Sequence, residues 1–393
     1  MRLLHAADLH LDSPLRSIAL RDAALGAAVS NASRAALAAI VEAAIEHRVD
    51  AVLLAGDLFD GEAADLTTRA ALARAVGRLA GSSIPVVAIR GNHDALLDLE
   101  AHGPLAEGFH LLHDGNPCVR VGEATVHGRS FRGRHEAESL LPGYGAPEPG
   151  RINVGIMHTS LGGAEGHDPY APVPTADLLA HGYEYWALGH IHRRSEHRAD
   201  GALAVMAGIP QGRHANEPGR GRVTLVTVDG LGARAEAIPL ATIAFERVGV
   251  ALDGPTQAED VAAIEAALDA AAGEGHAVAL RLTLTGRGAA ALLALGDPSA
   301  VVRDLAAERK AVHVERVIVR PAVADAPGEV AGLLDAMRQE AGAPATRDAA
   351  TRIIAALEEA LPAEVRAAMG EADLDAVMAD ALALAGTRLP RGA

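Results

Sequence analysis

Seven side chains able to bind divalent metal ions lie in five short blocks of the first half of the chain. They comprise two carboxylates, one amide and four imidazoles: Asp8, His10, Asp57, Asn92, His158, His190 and His192. Such a mixed set of donors favours Mn, Fe or Zn, whereas Mg and Ca prefer shells of oxygen alone. Asp8 and His10, two residues apart after one apolar run, can both turn toward one ion. The set therefore predicts a metal site.

A pair of ions explains this number of ligands better than a single ion does. Two divalent ions about 3.5–4 Å apart can share one phosphate group and lower the pKa of bound water toward ~7. Asp57 is the candidate for the bridging carboxylate, since its oxygens can hold both ions. Two divalent ions, two carboxylates and one hydroxide leave a charge of about +1, which matches the single negative charge of a phosphodiester. Hydrolysis of a phosphate ester is therefore the predicted chemistry.

His93 lies next to the candidate ligand Asn92 and is predicted to project toward the substrate. It would serve as a general acid for the leaving oxygen, or stabilise developing charge. Asp94 is predicted to orient its imidazole and fix the tautomer. Three ligands follow a glycine, which allows a sharp turn or a close approach of the backbone to the ions: Gly56, Gly91 and Gly189.

The apolar runs before these blocks predict the strands that position them. The expected strands are 3–7, 51–55, 85–89, 152–157 and 185–188. Helical stripes fall at 34–47 and 66–80. This alternation predicts an open α/β sheet with helices on both faces and the site at the strand C-termini. Three further strands, at 203–206, 223–228 and 233–240, are expected to close the sheet in antiparallel fashion.

The rest of the chain predicts two further parts. After a first domain over 1–242, residues 243–322 alternate as β-α-β-α-β without a metal-type cluster, which predicts a small α+β domain. Residues 323–393 show apolar positions at helical spacing. From residue 325 onward there are 6 Arg and 12 Asp or Glu, a net charge of 6 − 12 = −6. A segment with this charge is expected to pack or to bind a protein partner, not DNA.

Composition limits the possible classes of protein. Half of the 393 residues are apolar but only 2% are aromatic, so Ala, Leu and Val must form the core. The net charge of −16 argues against a protein that coats nucleic acid, although ions and local arginines can still hold phosphate. Cys118 is the only cysteine, which excludes an intramolecular disulfide. No apolar run reaches ~18 residues, so no membrane association and a cytoplasmic location are expected.

Taken together, the five blocks resemble the calcineurin-like metallophosphoesterase superfamily. Its pattern is D-x-H, G-D, G-N-H-[DE], H and G-H-x-H, and the match covers about residues 1–240. Within the superfamily, Asp8–Asp12, Gly56–Asp60 and Ala187–His192 are most similar to DNA repair nucleases of the Mre11/SbcD type, including the YhaO-like branch. Ala207–Arg213 is similar to that branch as well.

The resemblance implies a β-sandwich flanked by helices, a small α+β capping domain and a helical C-terminal segment. It also implies Mn²⁺-dependent exonuclease and endonuclease activity on DNA, a homodimer, and docking of the C-terminal segment on an SMC-like ATPase of the Rad50 type. One ion would take Asp8, His10, Asp57 and His192, and the other Asp57, Asn92, His158 and His190. Related proteins often carry histidine where this chain has Asp60, which leaves the role of Asp60 open.

Several assignments keep alternatives. Four loop arginines are predicted either to contact DNA phosphates or to be solvated loop charge: Arg129, Arg193, Arg194 and Arg213. Asp12 and Asp60 could merely bond loop backbone. Besides a DNA nuclease, the sequence allows a phosphodiesterase or phosphatase for small nucleotides. It also allows a regulatory subunit of an ATPase complex whose nuclease activity is minor.

Overall fold

A computed structural model describes most of the chain. It covers residues 1–13, 23–61, 66–98, 105–162, 170–230, 232–240, 243–273, 276–321 and 329–360, with the single positions 374, 378, 381 and 382. Within these residues the chain forms two compact units. Of the described residues, 1–13 and those from 28 to 244 form one unit, and 23–27 and those from 245 onward form the other. The predicted boundaries at 242 and 322 remain predictions.

The first unit contains two six-stranded sheets. Their strands are β1 Arg2–Ala6, β2 Ala51–Ala55, β3 Val86–Ile89, β4 Phe109–Leu111, β5 Cys118–Val121, β6 Ala124–Gly128, β7 Ile152–His158, β8 Tyr185–Gly189, β9 Ser195–Ala199, β10 Ala202–Met206, β11 Arg222–Asp229 and β12 Gly232–Pro239. The first sheet has the order β12-β11-β1-β2-β3-β4 and the second β5-β6-β7-β8-β10-β9. The ligand-bearing strands β1, β2 and β3 are parallel neighbours, as are β7 and β8.

The helices of this unit lie mainly against the first sheet. They are α1 Ala23–Glu46, α2 Leu66–Gly81 and the short α3 Thr175–Leu179, with a 3₁₀ turn at Leu141–Gly143. Ile40 of α1 and Leu72 of α2 belong to one buried cluster with Leu4 of β1. On the other face of the sheet, Leu53 packs in a second cluster with Val154 of the second sheet. Both faces of β2 are therefore covered, which explains its uninterrupted apolar sequence.

The predicted β-sandwich flanked by helices is confirmed. The alternation of strands and helices had also suggested helices on both faces of one sheet. Instead, the second sheet covers one face and helices cover the other. The predicted antiparallel closure holds for β11, which pairs antiparallel with β1 and β12, but β10 pairs parallel with β8. Strand β9, absent from the prediction, supplies the antiparallel neighbour of β10.

Helix α1 contains the segment Leu25–Glu46, which is long and apolar enough by length and composition to cross a membrane. The apolar window in this segment is 53% buried within the protein. A core helix that packs on a sheet passes the same test, so this segment is only a weak indication of a membrane span. The prediction that no such segment exists had counted uninterrupted apolar residues, whereas this helix includes scattered polar ones.

The second unit contains a three-stranded sheet in the order β13-β14-β15. Its elements are β13 Ala244–Ala251, α4 Gln257–Ala272, β14 Val278–Gly286, α5 Arg287–Leu295, α6 Pro298–Ala306, β15 Val312–Pro321, α7 Glu329–Gly342 and α8 Pro344–Ala360. The α+β composition agrees with the prediction, but α5 was not predicted. Its N-cap is Gly286, whose φ of +93° is a conformation that favours glycine. Of the predicted helical segment 323–393, residues 323–328 and those beyond 360, except 374, 378, 381 and 382, lie outside the described residues.

Candidate metal centre

The strand ends bring the predicted ligands of the first unit together. Asp8 and His10 follow β1, Asp57 follows β2, and His158 is the last residue of β7. The backbone N–H of Asp8 donates to the carbonyl of Gly56 at 3.1 Å, and that of His10 to the carbonyl of Asp57 at 3.0 Å. The loops after β1 and β2 are thus bonded to one another, which fixes the spacing of their side chains.

One group of ligand atoms centres on Asp8, His10 and His192, whose candidate donor atoms all lie within 4.8 Å of one another. Nε2 of His10 is 3.4 Å from Nε2 of His192, and the latter is 3.8 Å from Oδ1 of Asp8. The backbone N–H of His190 donates to both oxygens of Asp8 at 3.0–3.1 Å. These residues include three of the four predicted for the first ion.

A second group centres on Asp57 and His158. Nε2 of His158 is 3.4 Å from Oδ2 of Asp57 and 3.0 Å from Oδ1 of Asn92. The same Asp57 oxygen is 3.8 Å from Nε2 of His10, so this carboxylate faces both groups. The ring of His190 lies beside that of His158, with 5.1 Å between centroids. The geometry matches the bridging position expected for Asp57 and brings together the four residues expected at the second ion.

The backbone at these positions is strained. Asp8, His10, Asp57 and His190 all have positive φ, from 41° to 98°, a region that non-glycine residues enter at a cost of about 1–3 kcal/mol each. Such strain persists only where the surrounding structure enforces it, and it concentrates at functional sites.

Two glycines are required because side chains occupy the space beside them. A Cβ on Gly91 would meet Oδ1 of Asp57 and Nε2 of His158, and one on Gly189 would meet the carbonyl of Ala55. The predicted close approach of the backbone at these glycines is therefore present.

The carboxylate beside His93 is Asp60. Nδ1 of His93 is 2.6 Å from Oδ1 of Asp60, which also accepts from the hydroxyl of Ser13 through Oδ2 at 2.5 Å. Asp94 had been expected in this position. Its two oxygens instead accept from the backbone N–H groups of Gly91 and Leu58, each at 2.7 Å. Asp94 thus fixes the loops after β2 and β3 to each other, while Asp60 orients the imidazole.

The expected general-acid position of His93 suits its surroundings. Its side chain is 39% exposed, whereas those of His10 and His158 are fully buried. Its backbone N–H donates to Oδ1 of Asp57 at 2.9 Å, which holds it beside the metal-binding groups. Burial disfavours the protonated imidazole of His93 and acts to lower its pKa. The hydrogen bond to Asp60 and the charge of Asp57 outweigh burial and raise the pKa of His93. A raised pKa favours the protonated form that a general acid needs.

Sequence reasoning missed Glu217. Its Oε1 is 2.6 Å from Nδ1 of His192, on the opposite side of the ring from the other ligands. It lies 25 residues after His192 in a loop without a ligand-like pattern. The only local signal was its position close to Arg213, at the end of the Ala207–Arg213 stretch that already resembles the YhaO-like branch.

The predicted arginines have different surroundings. Arg129 donates to the carboxylate of Asp114 and to the carbonyl of Gly143, and Arg194 pairs with Glu196. Arg213 lies nearest the metal-binding groups, at 3.7 Å from Oδ2 of Asp60. Arg193 is exposed. Of the four predicted arginines, the structure therefore places Arg213 beside the candidate metal ligands.

Asp12, the other aspartate with an open role, makes structural contacts. It accepts from Nε of Arg34 at 2.8 Å and from the hydroxyl of Thr68. These bonds attach the loop after β1 to α1 and α2.

The donor set fits divalent cations. Asp8 and Asp57 are both buried, and two carboxylates in such a setting require nearby positive charge. Burial raises the pKa of Asp8. Burial of Asp57 acts in the same direction, but His158 and His10 outweigh it and hold the pKa of that carboxyl well below its usual range. A divalent ion at each group of donors would supply the same compensation.

The imidazoles are also held in orientations suited to metal binding. Nδ1 of His158 donates to the carbonyl of Ala55 at 2.9 Å, which leaves Nε2 facing Asp57 and Asn92. An outer hydrogen bond of this kind is the usual arrangement around a metal-bound histidine. Asp8, His10, Asp57, His158 and His192 would hold the ions, with Asn92 and His190 beside them.

Comparison with known proteins identifies the family of this domain. The sequence profile of the calcineurin-like phosphoesterases matches residues 1–194, and that of the middle domain of metallophosphoesterase YhaO matches residues 245–321. The uncharacterized metallophosphoesterase YhaO of Bacillus subtilis is 34% identical over 225 residues, covering 56% of this chain and 55% of that protein. The DNA double-strand break repair protein Mre11 of Sulfurisphaera tokodaii is 26% identical, covering 53% of this chain and 54% of that protein.

The chain thus spans about half the length of the curated relatives it matches. A dimetal phosphatase from Danio rerio is 14% identical with a TM-score of 0.37, covering 61% of this chain and 99% of that one, a likeness too slight to bear on the site. The matched profiles confirm the resemblance seen in the five sequence blocks. Residues 1–194 of this chain belong to the calcineurin-like phosphoesterase family, whose members hydrolyse phosphate esters at a dinuclear divalent metal centre.

Proposed function

We propose that this protein is a DNA nuclease that hydrolyses phosphodiester bonds at a dinuclear centre, with Mn²⁺ as its ions, in DNA repair. The observation that carries the proposal is the position of Asp57 between two groups of donors, with His93 and Arg213 beside them. The Mre11 relatives add support, since the one from Sulfurisphaera tokodaii is described as a DNA double-strand break repair protein.

When bound, the two ions would supply Lewis-acid stabilisation of the phosphate and an activated water. The protein's own groups perform the remaining tasks. Asp60 accepts from Nδ1 of His93 and so directs Nε2 away from the carboxylate, where it can donate a proton to the leaving oxygen. The partial exposure of His93 allows a substrate to reach that nitrogen.

Arg213 is the arginine best placed to bind a phosphate. Its NH1 is 3.7 Å from Asp60 and its NH2 is 3.5 Å from Glu217, so two carboxylates hold it at the edge of the site. A guanidinium can bind two oxygens of one phosphate through parallel hydrogen bonds. Arg193 is exposed, and it is proposed to contact a second phosphate farther along the DNA strand.

Digestion of end-labelled linear double-stranded DNA in Mn²⁺ tests the proposal directly. Both strands are followed over time, with a parallel reaction in chelator and with His93→Ala as the control for contaminating nucleases. Shortening of labelled DNA by the wild-type protein alone supports the proposal. If cyclic nucleotides or small diesters are hydrolysed while DNA stays intact, the nuclease proposal is wrong.

A phosphodiesterase for small nucleotides is the second candidate. It is favoured by the hydrogen bonds of Arg129 to Asp114 and of Arg194 to Glu196, which leave these two guanidinium groups less able to bind DNA phosphates. The carboxylates near Arg213 lie farther from its guanidinium, at 3.5–3.7 Å. Comparing the hydrolysis of DNA with that of cyclic nucleotides separates the nuclease from the small-nucleotide phosphodiesterase. Only the nuclease needs protein contacts to phosphates beyond the scissile one.

The C-terminal segment is proposed to dock on an SMC-like ATPase of the Rad50 type, within a cytoplasmic homodimer. Its net charge of 6 − 12 = −6 from residue 325 onward suits a protein partner better than DNA. Recovery of the ATPase with the full chain and with a variant lacking residues 328–393 tests this role. Equal recovery of the ATPase with both proteins would exclude this docking role. It would also remove the support for a regulatory subunit whose nuclease activity is minor.

A further inference from the structure

We propose that Glu217 is a positioning residue for His192, holding this imidazole so that Nε2 faces Asp8 and His10, with which it would hold the first ion. The inference rests on the dinuclear centre of the proposed function. Oε1 of Glu217 lies 2.6 Å from Nδ1 of His192, and the Glu217 side chain is only 8% exposed. A carboxylate this close accepts a hydrogen bond from Nδ1–H of the imidazole, and in this tautomer Nε2 carries the lone pair.

The opposite side of the ring carries the metal-binding geometry. Nε2 of His192 is 3.8 Å from Oδ1 of Asp8 and 3.4 Å from Nε2 of His10. Rotation of the ring about its own bonds would move Nε2 away from both. Because His192 is 22% exposed at its side chain, burial alone does not hold the ring, and the carboxylate provides the missing restraint.

Glu217 is itself held in place. Its second oxygen accepts from the backbone N–H of Arg213 at 2.6 Å, and its backbone N–H donates to the carbonyl of His214 at 2.9 Å. The guanidinium of Arg213 at 3.5 Å offsets its charge. The carboxylate is therefore a fixed acceptor rather than a solvated surface group.

The loop that carries Glu217 is anchored at its start. The backbone N–H of Ile209 donates to the carbonyl of His192 at 3.2 Å. The buried amide of Gln211 donates to the carbonyl of Ile243 at 2.9 Å and accepts from the N–H of the same residue at 3.2 Å. The loop thus runs alongside the His192 segment, and its distance from the imidazole is set by main-chain bonds.

The other histidines use different restraints. The Nδ1 atom of His158 donates to the Ala55 carbonyl, an oxygen that no side-chain substitution removes. Nδ1 of His10 also faces a carboxylate, that of Asp60, but at 3.7 Å the two atoms are beyond hydrogen-bond distance. Among the candidate ligand histidines with contacts described here, His192 is therefore the one hydrogen-bonded to a carboxylate that is not itself a candidate ligand. Glu217 is therefore the position where orientation can be tested without removing a ligand.

The test is Mn²⁺ binding by calorimetry and by electron paramagnetic resonance, which distinguishes a coupled pair of ions from an isolated one. Glu217→Ala is expected to weaken one of two sites by about 10–100-fold, with an isolated-ion spectrum at intermediate Mn²⁺. Glu217→Gln keeps an amide oxygen that can accept a hydrogen bond from Nδ1, so its loss of Mn²⁺ affinity is expected to be smaller. Glu148→Gln is the matched control, since Glu148 also accepts from a side chain, that of Thr125, at 2.5 Å.

A double-mutant cycle separates orientation from general structure. If Glu217 acts through His192, adding Glu217→Ala to His192→Ala changes Mn²⁺ affinity no further. An equal loss in both backgrounds would overturn the inference, as would wild-type affinity for both ions in Glu217→Ala and Glu217→Gln. If thermal unfolding without metal shows that Glu217→Ala does not fold, the Mn²⁺ affinities of Glu217→Gln and the wild-type protein are compared instead.

The inference and the proposed function fail separately. Hydrolysis of DNA by the wild-type protein together with unchanged ion affinity in the variants removes the role of Glu217 alone. Two bound ions with the expected loss in Glu217→Ala, but no hydrolysis of any diester, removes the nuclease and leaves the role of Glu217 intact. A wild-type protein that binds no Mn²⁺ contradicts both.

Discussion

Nδ1 of His93 and Oδ1 of Asp60 lie 2.6 Å apart, at the edge of a site whose candidate ligands come from separate strand ends. This contact makes Asp60 the residue that orients the imidazole. The same oxygen of Asp60 is 3.7 Å from Nδ1 of His10, so this carboxylate lies between His93 and a candidate ligand.

His93→Ala is expected to keep Mn²⁺ affinity and to lower kcat by about 10²–10⁴-fold, the usual contribution of a general acid. Asp60→Asn should cause a smaller fall in the same direction. Both losses should shrink for a p-nitrophenyl diester, whose leaving group needs little protonation. Steady-state rates with DNA and with that diester provide the measurement, and equal losses on both substrates would contradict the general-acid role.

Gly91→Ala is expected to lower activity by about 10²-fold, because the added methyl group must displace Asp57 and His158. Mn²⁺ affinity should fall with it. Gly77→Ala is the control, since a Cβ there meets nothing within 4 Å and lies inside α2, where the exchange should stabilise by about 0.5–1 kcal/mol. Wild-type turnover and metal affinity in Gly91→Ala would refute the packing described around this glycine.

Arg213→Ala is expected to raise KM for DNA about tenfold, the cost of a lost charged hydrogen bond. The slope of log affinity against log salt should fall by about 1. Arg120→Ala, which removes an arginine paired with Glu148, is the comparison and should leave both quantities unchanged. The phosphate role of Arg213 is excluded if its KM and salt slope match those of the Arg120 variant.

His5 should make the folded state sensitive to acid. Its ring is fully buried with Nδ1 2.8 Å from the hydroxyl of Tyr185, and burial lowers the pKa of His5 to about 3. The unfolded chain protonates this group near pH 6.5, so between pH 6.5 and 3 the unfolded state binds more protons. Stability is then complete above pH 6.5 and falls by up to about 1.4 kcal/mol per unit as pH decreases.

Urea unfolding of the metal-free protein and of His5→Gln checks this. From pH 7 to pH 5 the wild-type free energy of unfolding should fall by about 2 kcal/mol relative to the variant, which has no titrating group at this position. Parallel pH dependence in the two proteins would mean that His5 is protonated when buried.

The positions of the ligands followed from sequence because they depend on a local rule. Asp8 and Asp57 follow neighbouring parallel strands of the first sheet, whose C-termini meet at one edge. His158 ends β7 of the second sheet and reaches the same place because the two sheets pack face to face. The orientation of β10 did not follow, since its apolar sequence suits a parallel or an antiparallel neighbour equally.

The partners of the ligands were harder to predict than the ligands. Asp94 is adjacent to His93 in sequence, yet its side chain bonds the backbone at Leu58 and Gly91. Asp60 reaches His93 only because the loops after β2 and β3 lie side by side. The contact of Glu217 with His192 forms because a later loop folds back onto the His192 segment. The two residues are 25 positions apart, so no local sequence pattern predicts this contact.

The most direct test of the dinuclear centre is anomalous diffraction at the manganese edge from crystals grown with Mn²⁺. We expect two peaks about 3.5–4 Å apart, with Asp57 between them, His10 and His192 at one and His158 at the other. A single peak, or two peaks that do not share Asp57, would contradict the dinuclear centre.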